Sequence, residues 1–91
     1  MIIYNTTYQV DINDARNFVI WINESYIPAV IEDGRLKNPR LCQVLSHKEE
    51  ESECFTLQWE VESSAELHKW HTTIGMKLNE DMMKVFKNKV V

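Results

Sequence analysis

The sequence predicts an α+β domain in which two helices cover one face of an antiparallel sheet. Three observations predict this fold class. Apolar residues alternate with a period of two in several segments, they recur with the helical period in two others, and these segments follow one another in the order β-α-β-β-α-β. The chain has 91 residues, of which 44% are hydrophobic and 26% charged, so we treat residues 1–91 as a single globular domain.

The first strand is predicted over residues 2–10. Its alternation gives it one apolar face and one more polar face. The apolar face consists of Ile2, Tyr4, Thr6, Tyr8 and Val10. The polar face consists of Ile3, Asn5, Thr7 and Gln9.

The first helix follows, with Asp11 or Asn13 as its cap, and it ends at Gly34, a residue that suits the position after a helix. Pro28 lies inside this helix and predicts a kink near residues 25–27. The predicted core-facing stripe consists of Ala15, Phe18, Val19, Ile22, Tyr26, Ala29 and Val30.

A hairpin is predicted in the middle of the chain. Residues 35–39 are interpreted as a loop, residues 40–46 as a strand that is apolar on both sides, and residues 53–62 as a strand that alternates cleanly. The acidic residues between the two strands indicate a solvated tip. In the second of these strands the apolar face consists of Phe55, Leu57, Trp59 and Val61.

The second helix is predicted to begin at Ser63, because Ser63 and Glu66 have the spacing of a capping box. Its predicted buried stripe consists of Leu67, Trp70, His71, Ile74, Leu78, Met82 and Val85. Residues 89–91 are predicted to begin a last strand that is truncated at Val91. The element order is that of a ferredoxin-like fold.

Composition excludes several classes of function. The net charge of −4 argues against a broad nucleic-acid interface, and no apolar run is long enough to span a membrane. The two glycines do not allow a glycine-rich phosphate loop. The start of the chain does not resemble a secretory signal, so we expect a cytoplasmic protein with reduced cysteines. No spacing indicates a metal site or a cofactor.

Several segments together resemble a small bacterial family known as domain of unknown function 4286. They are the opening residues 1–5, the pair Trp21 and Ile22, residues 26–30 with Gly34, the strand at residues 55–60, and residues 85–91. This family is similar to the dimeric α+β barrel superfamily. The resemblance implies a homodimeric barrel in which two ferredoxin-like sheets pack face to face. It carries no catalytic motif, and family members continue past the last two valines into a full strand.

The candidate ligand pocket lies between the sheet and the second helix. Its expected lining is aromatic with one histidine: Tyr4, Tyr8, Trp59, Trp70 and His71. We expect His71 to be a buried core residue. The alternative is a cofactor-free barrel enzyme, similar to an oxygenase or a dehydratase, in which His71 acts as the base on a small lipophilic compound.

Two protein contacts are expected. The open face of the sheet contains few charged residues, which predicts a homodimer formed through that face. On the first helix, Ile20, Ile27 and Ile31 lie opposite the core-facing stripe. They form either a surface for a second protein partner or part of the core, if the kink turns them inward.

Overall fold

Three antiparallel strands form an open sheet in the part of the chain that the structure describes. The computed structural model describes residues 1–49 and 51–87, with side chains for residues 1–45 and 51–87. The strands are β1 (Ile2–Asp11), β2 (Leu36–Glu49) and β3 (Ser52–Val61), and their spatial order is β1-β3-β2. Because β1 and β2 both run antiparallel to β3, they are parallel to each other, and the first helix connects them across β3. The predicted last strand lies outside the described residues.

Both helices contain a π-helical turn at the same distance from their start. The first helix consists of α1 (Ala15–Trp21), a π turn (Ile22–Tyr26) and α2 (Ile27–Asp33). The second consists of α3 (Ser64–Trp70), a π turn (His71–Gly75) and α4 (Met76–Phe86). In the first helix the π turn directly precedes the segment that contains Pro28, so the predicted irregularity is present as a π turn.

The helix ends confirm most of the predicted caps. The Ser63 Oγ accepts a hydrogen bond from the Glu66 backbone N–H at 3.2 Å, and Gly34 has the left-handed φ of 87°. At the start of the first helix the prediction was wrong. The cap residue is Asp14, without a side-chain bond, and the Asp11 Oδ1 instead accepts from the Asn13 backbone N–H in the preceding turn.

One apolar core lies between the sheet and the helices. It confirms the predicted inward face of β3 and most of the predicted inward face of β1 and stripe of the first helix, while Ile2 at the start of β1 is 38% exposed. Its buried members are Tyr8, Val10, Ala15, Phe18, Ile22, Tyr26, Val30, Leu36, Phe55, Leu57, Trp59, Val61, Trp70, Met82 and Phe86. Phe18 lies at its centre, with its ring 5.3 to 5.6 Å from the rings of Tyr8, Phe55 and Phe86.

The stripe of the second helix differs from the prediction at two residues. His71 is exposed and Val85 is 52% exposed, whereas Phe86 is buried. The prediction assumed a regular α-helical period from end to end. The π turn adds a residue to one turn, so the helix surface that faces the sheet shifts along the sequence.

The strand β2 begins four residues before its predicted start. Residues 35–39 were expected to be a loop, but pairing with β3 already begins at Leu36. Two residues, Asn38 and Pro39, lie between the pairs that contain Lys37 and Arg40, so the strand carries a bulge there. A bulge in an outer strand of the described sheet accommodates proline, since no ladder hydrogen bond is lost.

We predict that Gly75→Ala destabilises the protein, although this change in an ordinary helix adds about 0.5–1 kcal/mol of stability. A Cβ at Gly75 would lie 2.8 Å from the Cζ3 of Trp70, a ring that is buried. Overpacking of this kind costs about 1–3 kcal/mol. Urea denaturation gives the free energy of unfolding for comparison with the native chain.

Asn79→Ala on the exposed side of α4 is the matched control, and we expect it to raise stability by a few tenths of a kcal/mol through helix propensity. If Gly75→Ala stabilises the chain as much as Asn79→Ala does, the contact between Gly75 and Trp70 does not constrain the helix.

Candidate ligand pocket and open sheet face

Three of the five predicted pocket residues belong to the core. Tyr8, Trp59 and Trp70 are 8%, 1% and 2% exposed, and the space between them and the helices is occupied by other core side chains. None of the three lines the pocket beside His71.

Tyr4 and His71 do lie together, at the surface. They line an open pocket of about 300 Å³ with Ser64, Leu67 and His68. Tyr4 lies on β1, and its ring packs edge-on against the ring of Trp70, with 5.9 Å between the ring centroids. His71 is exposed, so the expectation of a buried histidine was wrong. A general base normally lies in a site that excludes water, and this pocket is open to solvent.

The indole N–H of Trp70 is a buried donor without a hydrogen-bond partner among the described residues. The ring is held from two sides, by Tyr4 and by the backbone of Gly75. An unpaired buried donor lowers the stability of the folded state by about 1–3 kcal/mol. The apolar packing of the Trp70 ring must therefore outweigh this cost.

Two buried tyrosines, Tyr8 and Tyr26, form a polar pair inside the core, at positions on the apolar faces of β1 and the first helix. Burial raises the pKa of Tyr8 above its usual value of 10.0, and burial together with the Tyr8 hydroxyl raises the pKa of Tyr26 further. The Tyr26 hydroxyl in turn lowers the pKa of Tyr8 and offsets part of the effect of burial. The pair links β1 to the π turn of the first helix.

The other face of the sheet is left uncovered by the helices. Strand register places Cys42 opposite Thr56 and Val44 opposite Cys54, so these side chains share the open face. Because β2 is apolar on both sides, its sequence alone does not decide which side chains face outward, and the register with β3 places Leu41 and Gln43 on the side of the helices. The open face therefore contains Ile3, Asn5, Thr7, Gln9 and Asp11 of β1, Lys37, Arg40, Cys42 and Val44 of β2, and Ser52, Cys54, Thr56, Gln58 and Glu60 of β3.

Charged side chains lie at the ends of this open face. Lys37, Arg40 and Glu60 lie at one end and Asp11 lies at the other. The middle of the face is neutral: Asn5, Thr7, Gln9, Cys42, Val44, Cys54, Thr56 and Gln58. This distribution fits the predicted shortage of charge.

The described residues contain no group of three or more His, Cys, Asp or Glu side chains placed to hold a metal ion. Cys42 and Cys54 are free thiols on the open face. Within the described residues, no helix has the length and apolar character needed to cross a membrane.

The three isoleucines of the first helix do not behave as one set. Ile20 and Ile31 are 42% and 52% exposed, whereas Ile27 packs against the core. A second protein partner at Ile20, Ile27 and Ile31 stays a prediction, with at most two of the three side chains available to it.

The family model described as a domain of unknown function (DUF4286) matches residues 1–91. The chain belongs to this family. No curated protein and no solved structure matches it. Membership confirms the resemblance seen in the sequence, and the similarity of DUF4286 to the dimeric α+β barrel superfamily stays a prediction.

We predict that the protein loses stability in alkali through the tyrosine pair. An unfolded tyrosine releases its proton near pH 10, while Tyr8 and Tyr26 hold theirs to higher pH in the folded state. Their contribution is therefore complete below pH 10 and falls as the pH rises above it, by up to about 1.4 kcal/mol per pH unit for each tyrosine.

Tyr26→Phe removes one of these two groups. The free energy of unfolding, measured in urea from pH 8 upward, should fall less steeply above pH 10 in the variant than in the native chain. Parallel pH curves for the two proteins would show that Tyr26 does not titrate differently in the folded and unfolded states.

Proposed function

We propose that this chain is a ferredoxin-like module that forms a homodimer by packing its open sheet face against the same face of a second copy, as a dimeric α+β barrel. The observation that carries the proposal is the neutral middle of the face. A face adapted to water normally holds more lysine and glutamate, and depletion of charge is the compositional mark of an interface core.

The strand arrangement supports the ferredoxin-like part of this proposal. The order β1-β3-β2, with a helical connection between the parallel strands β1 and β2, is what a ferredoxin-like fold requires of its first three strands. Both helices lie on one side, so a second sheet can approach from the other side without displacing any described element.

The side chains of the face suit a self-complementary contact. Thr7 and Thr56 lie directly opposite each other on neighbouring strands, with Cys42 next in the same row. Threonine, asparagine and glutamine both donate and accept hydrogen bonds, so copies related by a twofold axis can satisfy one another when they are buried. A twofold axis is also the commonest symmetry of soluble oligomers.

No described observation favours the alternative of a cofactor-free enzyme with His71 as base, which stays a prediction. The core beside His71 is filled by Trp70 and its neighbours, and the pocket at His71 is open. The cytoplasmic location also stays a prediction, which the two free cysteines support.

We predict that Thr7→Lys and Thr56→Lys each shift the protein to a monomer. Either lysine would be buried beside its symmetry-related copy, and two unpaired charges in an interface cost several kcal/mol. Light scattering at tens of micromolar, a range in which a moderately tight dimer is populated, reports the mass of each protein.

Asn79→Lys is the matched control because it adds the same charge on the exposed side of α4, away from the sheet. It should keep the dimer mass, and circular dichroism should show that all three variants are folded. A monomer mass for the native chain, or a dimer mass for both threonine variants, would contradict the proposal.

A further inference from the structure

The bulge in β2 opens a pocket on the sheet face. Asn38 and Pro39 together oppose the single residue Trp59, and Asn38 has a left-handed φ of 52°. Bulges bend a strand and change the direction of its side chains. The result is a pocket of about 450 Å³ at one end of the open face, lined by Ile3, Asn38, Pro39, Arg40, Gln58, Trp59 and Glu60.

Two opposite charges line this pocket without pairing with each other. The Asn38 Nδ2 donates to the Glu60 Oε2 at 3.1 Å, and this bond holds the carboxylate beside the bulge. Arg40 lies opposite Gln58, so Glu60 is its diagonal neighbour on β3. The Cα atoms of diagonal neighbours in a sheet are about 7–8 Å apart. Among the described residues, the Arg40 guanidinium has neither an ion pair nor a hydrogen bond.

We propose that this pocket binds a small zwitterion of the α-amino acid class. Arg40 receives the carboxylate, because a guanidinium offers two parallel donors to it. Glu60 accepts hydrogen bonds from the ammonium group, and the Gln58 amide lies between the two charges and both donates and accepts. The substituent of the ligand contacts Ile3, which is 52% exposed.

The charges select a zwitterion over simpler ions. A plain anion would meet the Glu60 carboxylate and a plain cation would meet the Arg40 guanidinium, each at the cost of a like-charge contact. A molecule with both charges a short distance apart satisfies both side chains and leaves the pocket with no added net charge.

This inference rests on the proposed function for the burial of the ligand, since the pocket opens on the face that a second copy would cover. A covered and unpaired Arg40 would weaken such a dimer, and a bound carboxylate supplies its partner. Recognition of the zwitterion itself depends only on side chains of one chain.

The test is a titration of the ¹⁵N-labelled native chain, followed by amide NMR, with L-leucine as the probe. Two analogues each remove one charge: N-acetyl-L-leucine lacks the ammonium group and L-leucinamide lacks the carboxylate. We expect saturable shifts at residues 38–40 and 58–60 with L-leucine, and binding at least about tenfold weaker with either analogue, since each loses a charged hydrogen bond.

Arg40→Gln and Glu60→Gln should each weaken L-leucine binding by about tenfold or more. Arg16→Gln is the matched control, because Arg16 is an exposed arginine on α1. Absence of saturable shifts, equal binding of all three probes, or an Arg40→Gln variant that binds like the native chain would overturn the assignment.

Light scattering on the same samples separates the two proposals. Selective binding by a protein of monomer mass would support the pocket and refute the dimer. A dimer mass without selective shifts would support the dimer and refute the pocket.

Discussion

Both helices pack on the same face of the sheet, and the rest of the structure depends on this asymmetry. A helix that connects two parallel strands across a third packs over the sheet on the side set by the right-handed crossover. The inward residues of β3, from Phe55 to Val61 in alternation, are buried beneath both helices. Aromatic side chains therefore cover one face of the sheet, and no described residue outside the sheet covers the other face. The uncovered face is therefore the surface that is available for contact with a partner.

Antiparallel sheets tolerate water on one face, so the lack of cover alone does not demand a partner. What matters is which residues occupy the face. Its middle holds threonine, asparagine, glutamine and cysteine, and its charges are confined to the ends. That distribution separates the face into a neutral area suited to a second copy and a charged corner at the bulge. The two proposals therefore use different parts of one surface.

The elements that follow local rules were predictable from the sequence. The alternation of β1 and β3, the glycine at the end of the first helix and the Ser63 cap each depend on a few neighbouring residues, and each is confirmed. The beginning of β2 was not predictable, because Pro39 argues for a loop and only pairing with β3 makes it part of a strand. The Arg40 and Glu60 corner was missed for the same reason, since the bulge sets which side chains meet.

The error at His71 has a different physical origin. A helical wheel assumes one period along the whole helix, and the contact between Gly75 and Trp70 accompanies a π turn that changes it. No local sequence motif predicts this π turn. Of the predicted pocket, Tyr4 and His71 are brought together at the surface, while Tyr8, Trp59 and Trp70 became core. Aromatic side chains on an apolar face are as well suited to a core as to a pocket, and only the packing distinguishes the two.

The two native thiols lie on the face in question and report directly on whether it is covered. The decisive measurement is the rate at which iodoacetamide alkylates Cys42 in the native chain, read by mass spectrometry as the protein concentration rises from about 1 µM to about 100 µM, the range over which a moderately tight dimer assembles. Cys42 is exposed in the single chain. If two sheets pack face to face, alkylation slows as the concentration rises, and Thr7→Lys restores the fast rate. A rate that is equally fast at every concentration and in the variant would contradict the homodimer.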